Sequence, residues 1–239
     1  SSHTVNADGS TVDSWQQTSD GSYGVDAYYA DGSNASTAYN ADGSIFESSS
    51  YTVHADGSYS TSTTNADGSS NGSDHNADGS STSTDYNSDG AVRGRTTVDV
   101  NGLISMFGGD ADDTISGQGG GDTLYGGAGN DTYLLSRGNG ADTISENDAT
   151  PENTDAAQFD SSIGSDQLWF RQASDNLEVS IIGTPDVFVI RDWYLGDQYH
   201  LEQFKTSDGK ILLDSQVQNL VQAMDSFSPP AAGETTMPT

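Results

Sequence analysis

Polar and apolar residues follow three different rhythms along this chain. Over roughly the first hundred residues, runs of Ser, Thr, Tyr and Val alternate with Asp-Gly turns. Asp8, Asp20, Asp31, Asp42, Asp56, Asp67, Asp78 and Asp89 stand in Asn-Ala-Asp-Gly-Ser or close variants, at spacings of 12, 11, 11, 14, 11, 11 and 11. Asx-Gly favours a tight turn, because Gly takes the positive φ and the Asp side chain bonds nearby backbone. The runs between turns therefore predict short strands. Three residues before each Asp stand Val5, Gln17, Tyr28, Tyr39, Val53, Thr64, His75 and Tyr86, mostly β-formers, which predicts one face of a thin meander or solenoid. Each copy buries little alone and needs its neighbours, a design suited to length, reach and surface display.

The second rhythm has a period of nine. Gly108-Gly109-Asp110-Ala111-Asp112-Asp113-Thr114-Ile115-Ser116, Gly117-Gln118-Gly119-Gly120-Gly121-Asp122-Thr123-Leu124-Tyr125 and Gly126-Gly127-Ala128-Gly129-Asn130-Asp131-Thr132-Tyr133-Leu134 share the shape G-G-x-G-x-D-x-U-x, with U apolar. A degenerate copy, Arg137-Gly138-Asn139-Gly140-Ala141-Asp142-Thr143-Ile144-Ser145, follows a two-residue insertion. A flexible linker has no reason to keep period, glycine placement and apolar position together, so the pattern predicts turn plus short strand, each nonapeptide half a coil. Ile115, Leu124, Tyr133 and Ile144 should point into the coil. Ala111 and Gln118 replace glycines, and Arg137 opens the fourth copy.

After residue 147 the pattern turns to that of a small α+β unit. Leu168-Trp169-Phe170, Leu177–Ile182, Val187–Ile190 and Ile211–Leu213 predict strands between Gly, Asp and Pro turns. Val217, Leu220, Val221 and Met224 recur at helical spacing, with Asp214-Ser215 to start the helix and Ser228-Pro229-Pro230 to end it. The expected organisation is mainly β: a repetitive β array at 1–102, a parallel β-roll at 103–147, a small α+β cap at 148–228 and a tail at 229–239.

The chemistry of the nine-residue block suits a hard cation. Glycines aim carbonyl oxygens inward, Asp at the sixth position supplies a carboxylate, and Ca²⁺ takes about six to eight oxygens at roughly 2.3–2.6 Å. One turn cannot supply so many, so two turns must share an ion. Turns on the same side of the coil lie two repeats apart, which pairs Asp113 with Asp131 and Asp122 with Asp142. The candidate ligands are Gly109, Ala111 and Asp113 with Gly126, Ala128 and Asp131, and Gln118, Gly120 and Asp122 with Arg137, Asn139 and Asp142, for about two calcium ions. The Asp-Gly turns of the first array carry one Asp per eleven residues or so and lack the clustered carboxylates of a calcium loop.

Charge sharpens this picture. The formal net charge is −29, and thirteen Asp and Glu precede the first cation, Arg93. Nucleic acid is excluded as a natural partner. Such self-repulsion also predicts a chain that is soft without cations and firm with them. Cysteine is absent, so neither disulfides nor thiolate metal sites supply rigidity. No apolar run approaches a membrane span of about eighteen residues. The chain opens inside a repeat without a visible signal peptide, as a piece of a longer protein would.

His3, His54, His75 and His200 show no metal spacing, and there is no G-x-S-x-G elbow, P-loop or cysteine nucleophile. No catalytic residue and no organic cofactor is assigned. Most carboxylates sit in turns, and Trp169, Trp193 and Tyr194 fall in or beside apolar runs as core residues do.

The nonapeptides resemble the calcium-binding β-roll repeat of bacterial RTX proteins. Asp175-Asn176-Leu177-Glu178-Val179, Ile190-Arg191-Asp192-Trp193-Tyr194, His200-Leu201-Glu202-Gln203-Phe204-Lys205 and Asp208-Gly209-Lys210 resemble the haemolysin-type calcium-binding-related domain that follows such rolls. The resemblance implies passage through a type I secretion apparatus, unfolded in low calcium and folding outside. Secreted or surface-bound localisation and a structural or adhesive, non-enzymatic role follow as expectations, with the cell surface, glycans or like subunits as partners of the array. Two alternatives stay open: an accessory region of a secreted enzyme or toxin, and ligand adhesion by hydroxyl rows such as Tyr59-Ser60-Thr61-Ser62-Thr63-Thr64.

Overall fold

A computed structural model describes residues 1–17, 19–227 and 230. The chain divides into two compact units, residues 1–101 and 102–239.

In the first unit, β1 (Ser2–Val5), β2 (Thr11–Gln16), β3 (Tyr23–Tyr28), β4 (Asn34–Tyr39), β5 (Ile45–Val53), β6 (Tyr59–Asn65), β7 (Ser70–His75), β8 (Ser81–Tyr86) and β9 (Val92–Val98) pair antiparallel in chain order. The turn chemistry explains the meander. Asn6 N–H donates to Ser10 O at 2.8 Å and Gly9 N–H to Asn6 O at 3.1 Å, with Gly9 at φ 86°. This is a type I turn closed by a left-handed glycine, a three-residue loop that folds a strand back on its predecessor. The same bonds recur from Tyr29, Asn40, His54, Asn65, Asn76 and Asn87.

A meander rather than a solenoid changes one expectation. The β-formers that precede each Asp do not make one row, because successive hairpins send them to opposite edges of the sheet. Stacking follows this geometry, with Tyr23 on Tyr39 at 4.8 Å and Tyr59 on His75 at 4.4 Å. Among the described residues of this unit no apolar side chain is buried; the buried side chains are those of Ser10, Ser33 and Thr84. The sheet is thus held by its backbone ladder and by cross-strand pairs worth roughly 0.2–1 kcal/mol each.

The second unit is built on alternation. β10 (Ile104–Gly109), β11 (Thr114–Ile115), β12 (Thr123–Gly127), β13 (Thr132–Leu135), β14 (Ala141–Ile144) and β15 (Ala156–Phe159) alternate between two sheets. β10, β12 and β14 are parallel in one, β11, β13 and β15 in the other. Ile115, Leu124, Tyr133 and Ile144 are at most 2 % exposed and point inward, joined in the core by Leu135 of β13.

The following residues extend both sheets. β16 (Leu168–Ala173) and β17 (Asn176–Ile181) form an antiparallel hairpin, and β18 (Val187–Ile190) joins β17 to β14, lying parallel to β14. β19 (Gln203–Lys205) continues the other sheet parallel to β15, with β20 (Ile211–Leu213) antiparallel at its edge. The helix α1 (Asp214–Met224) starts where Leu213 N–H donates to Gln216 Oε1 at 3.0 Å. It buries Val217, Val221 and Met224, with Leu220 packed at the margin. The expected stop at Ser228-Pro229 and the tail 229–239, Pro230 apart, lie outside the described residues.

One apolar core runs through this unit, from Ile115 and Leu124 to Phe188, Phe204 and Val217. Each fully buried Leu, Ile or Phe in it contributes roughly 1.5–3 kcal/mol. Trp169 and Trp193 belong to it. His200 stacks on Trp193 at 4.0 Å, donates from Nε2 to Trp193 O at 2.9 Å and sets Nδ1 3.5 Å from the Asp214 carboxylate, half-buried at the margin of the core. No helix among the described residues is long and apolar enough to cross a membrane.

Candidate metal centre

In each nonapeptide the Asp comes two residues before the inward apolar position, and in an extended chain residues two apart face the same way. The carboxylate is therefore carried inside with it. Asp122, Asp131 and Asp142 are 1 %, 0 % and 0 % exposed.

One oxygen of each is satisfied by the neighbouring turn. Asp131 Oδ1 accepts Asp113 N–H at 2.9 Å, and Asp142 Oδ1 accepts Asp122 N–H at 3.0 Å. Turns two repeats apart thus stack, Asp113 with Asp131 and Asp122 with Asp142. Asp122 Oδ1 in turn accepts Ile104 N–H at 2.7 Å. The second oxygens of Asp122, Asp131 and Asp142 are buried without a hydrogen-bond partner. A buried carboxylate left half-solvated is costly unless a cation meets it.

The glycines leave room for that cation. A Cβ placed on Gly108 would lie 2.6 Å from both Asp113 Oδ2 and the Gly126 carbonyl oxygen, and one on Gly117 would lie 2.7 Å from Asp122 Oδ2. Each repeat's first glycine therefore opens a space lined by carboxylate and, on the Asp113 step, by a carbonyl oxygen, the donor set Ca²⁺ prefers. Stacking is equally strict: a Cβ on Gly127 would come 1.9 Å from Gly109 O. The donors fit calcium and offer no thiolate. Among the described residues no three or more His, Asp or Glu side chains gather round one point, so carbonyls must complete any site.

The other candidate ligands are placed along these turns. Gly109 O accepts Ala128 N–H at 2.9 Å, Gly120 N–H donates to Asn139 O at 2.9 Å, and Gly120 O accepts Ala141 N–H at 3.2 Å. Gln118 takes φ 66°, the left-handed conformation of the glycine it replaces. Ala111, Gln118 and Gly120 are exposed, Ala128 and Arg137 half-buried, Gly126 and Asn139 buried.

Sequence reasoning missed how far the carboxylates continue. Asp155 Oδ1 accepts Asp131 N–H at 2.8 Å, and Glu202 Oε2 accepts Asp155 N–H at 2.6 Å, which extends the Asp113 edge. On the other edge Asp186 accepts Gly140 N–H at 2.9 Å and Gly138 N–H at 3.0 Å. A signal existed: Asp155-Ala156-Ala157 and Glu202-Gln203-Phe204 keep an acid two residues before a buried apolar residue, although the glycines are gone.

The electrostatics record the crowding. Burial, with Asp113, Asp112 and Asp148 nearby, pushes Asp131 up to about 6. Burial, with Glu202, Asp131 and Asp148 nearby, pushes Asp155 up to about 7, and burial among Asp155, Asp131 and Asp148 pushes Glu146 up to about 8. Asp142 is raised by burial and by Asp122 and Asp186. The first array is the opposite case. Asp8 Oδ1 accepts Ser10 Oγ–H at 2.7 Å and Ser10 N–H at 3.0 Å, and these bonds hold its carboxyl below the usual range. Asp20, Asp42, Asp56, Asp67 and Asp78 are served alike by the Ser two residues on.

Comparison with protein families agrees with this geometry. A model of the RTX calcium-binding nonapeptide repeat, four copies long, matches residues 107–144. A model of the haemolysin-type calcium binding protein related domain matches residues 176–216.

Proposed function

Because the chain belongs to the calcium-binding RTX proteins, we propose that it serves as a calcium-folded, non-catalytic module of a larger secreted protein, with a structural or adhesive task outside the cell. In this reading the roll responds to calcium and the Asp-Gly-Ser sheet is the surface offered to partners. The observation that carries it is the presence of two populations of aspartate. Those of the Asp-Gly-Ser turns are satisfied by their own serines, whereas Asp122, Asp131 and Asp142 each bury an oxygen with no donor.

Calcium bound between stacked turns would supply the missing charge. Asp113 and Asp131 would hold one ion and Asp122 and Asp142 another, with turn carbonyls completing each shell. An ion that binds the folded state alone adds RT ln(1 + [L]/Kd), about 2.7 kcal/mol at a hundredfold excess over Kd. In low calcium the repelling carboxylates keep the roll open, which suits passage through a type I secretion channel; in extracellular calcium it closes. The array offers partners a sheet without a core, bearing Ser and Thr rows and the exposed rings of Trp15, Tyr28 and Phe46. Cell-surface glycans or like copies suit such a face.

Far-UV circular dichroism of the full chain in calcium and in EDTA tests the reading. Cooperative gain of β signal on adding calcium is expected, over a baseline from the array. Identical spectra would sink it.

A further inference from the structure

We propose one more calcium site, beyond the matched repeats, in which the Glu146 carboxylate closes over Asp131. It rests on the reading that the roll binds calcium.

Register locates it. Gly109 pairs with Gly127 and Leu124 with Ile144, so Gly108, Gly126 and Glu146 occupy one column of stacked turns. At the first step of this column the Gly126 carbonyl sits beside the Asp113 carboxylate. At the second step the position that was glycine carries a carboxylate of its own.

That side chain turns inward. Glu146 is 2 % exposed; Oε1 accepts the Tyr133 hydroxyl, which itself accepts Gly126 N–H at 2.6 Å. Its Oε2 is buried with no partner, as is Oδ2 of Asp131, which is 0 % exposed. The two carboxylates converge on the same spot: a Cβ on Gly126 would lie 2.1 Å from Asp131 Oδ2 and 2.8 Å from Glu146 Oε1. Asp155, 3 % exposed, accepts Asp131 N–H at 2.8 Å. No ion pair among the described residues involves Asp131 or Glu146.

Two buried carboxylates brought together, each with an oxygen unserved, repel one another once ionised, and a cation held between them offsets that repulsion. All-oxygen donors without imidazole or thiolate select calcium over zinc. The column also explains why a side chain is needed. The insertion before Arg137 and the loss of the glycines after Ser145 end the repeat, and a reaching carboxylate replaces the next glycine turn. The site ties the third nonapeptide to the segment that follows the fourth.

Calcium stoichiometry of the full chain, by equilibrium dialysis with elemental analysis, tests the proposal. Glu146→Gln preserves shape and the bond to Tyr133, and is expected to bind one ion fewer than wild type. Glu146→Asp should keep the full count at weaker affinity, and Asp122→Asn, on the opposite edge, should lose an ion independently of Glu146→Gln. An unchanged count and affinity in Glu146→Gln would overturn the site. So would loss of every ion in both Glu146 variants, since the Asp122–Asp142 edge should stay occupied. A wild-type chain that binds no calcium would instead defeat the underlying reading.

Discussion

The aspartates of the Asp-Gly-Ser turns and those of the nonapeptides have opposite surroundings, and in each the residue two places on decides which. In Asp8-Gly9-Ser10 that residue is a serine whose hydroxyl and N–H both reach back to the carboxylate. In Asp131-Thr132-Tyr133 it is a buried ring, so strand alternation takes the carboxylate inside, and its donor comes from the backbone 18 residues earlier. Asp148 shows the first pattern outside the array, with Oδ1 accepting Thr150 N–H at 2.8 Å and Oδ2 the Asn153 amide. Asp131→Ala is therefore expected to remove the carboxylate shared by the Asp113 step and the Glu146 step, and two ions with it. Asp148→Ala should lose only a local turn, about 1 kcal/mol of stability, with the ion count kept. Titration calorimetry on both variants decides; equal losses would mean that the Asp113–Asp131 pairing is not an ion site.

Elements were legible where a residue type has one physical use. Asx-Gly marked every array turn because φ near 85° is open to glycine, and the period of nine marked the roll because each repeat sets a buried apolar residue two places after its Asp. The alternation of edges was hidden, since an eleven-residue beat suits a solenoid as well as a meander and only the hairpin hydrogen bonds choose between them. β15 and β19 were hidden too. Ala156-Ala157-Gln158-Phe159 and Gln203-Phe204-Lys205 are short and weakly β-forming, and pairing with the preceding strand of their sheet makes them strands. The meander also sets how its charges interact. Asp8, Asp31, Asp56 and Asp78 turn at one edge and Asp20, Asp42, Asp67 and Asp89 at the other. Neighbours on an edge are thus two strands apart, roughly 9–10 Å, near the Debye length of about 10 Å at 0.1 M salt. Ordinary salt should then stabilise the array nearly as well as calcium does. For residues 1–101 melted in sodium chloride and in calcium chloride at matched ionic strength, equal midpoints are expected; a clear excess in calcium would make the Asp-Gly-Ser turns ion sites.

At the scale of the whole molecule the two populations of carboxylate predict opposite responses to pH, and a window in which one is silent. Hydrogen bonds from the serine two places on hold Asp8, Asp20, Asp31, Asp42, Asp56, Asp67 and Asp78 below their ordinary value of 3.8, so the stability they contribute is present above that value and is lost only as pH falls through their folded values. Between pH 5 and 8 they should stay ionised in both states and add no slope. Asp131, Asp155 and Glu146 are raised, to about 6, about 7 and about 8. In that window the ion-free folded state holds more protons than the unfolded chain, so stability falls as pH rises, being full below the ordinary carboxylate range and lost through about 6 to 8. Calcium reverses the sign, because it binds the deprotonated carboxylates and must displace those protons. The full chain in EDTA is therefore expected to melt at a higher temperature at pH 5 than at pH 8. In saturating calcium the pH 8 sample should equal or exceed the pH 5 one, and calcium affinity should rise across the interval with proton release seen by calorimetry in buffers of different ionisation heat. Ion-free melting that did not change between pH 5 and 8 would mean that these carboxylates are hydrated when calcium is absent, and that the buried, half-satisfied arrangement belongs to the ion-bound fold alone.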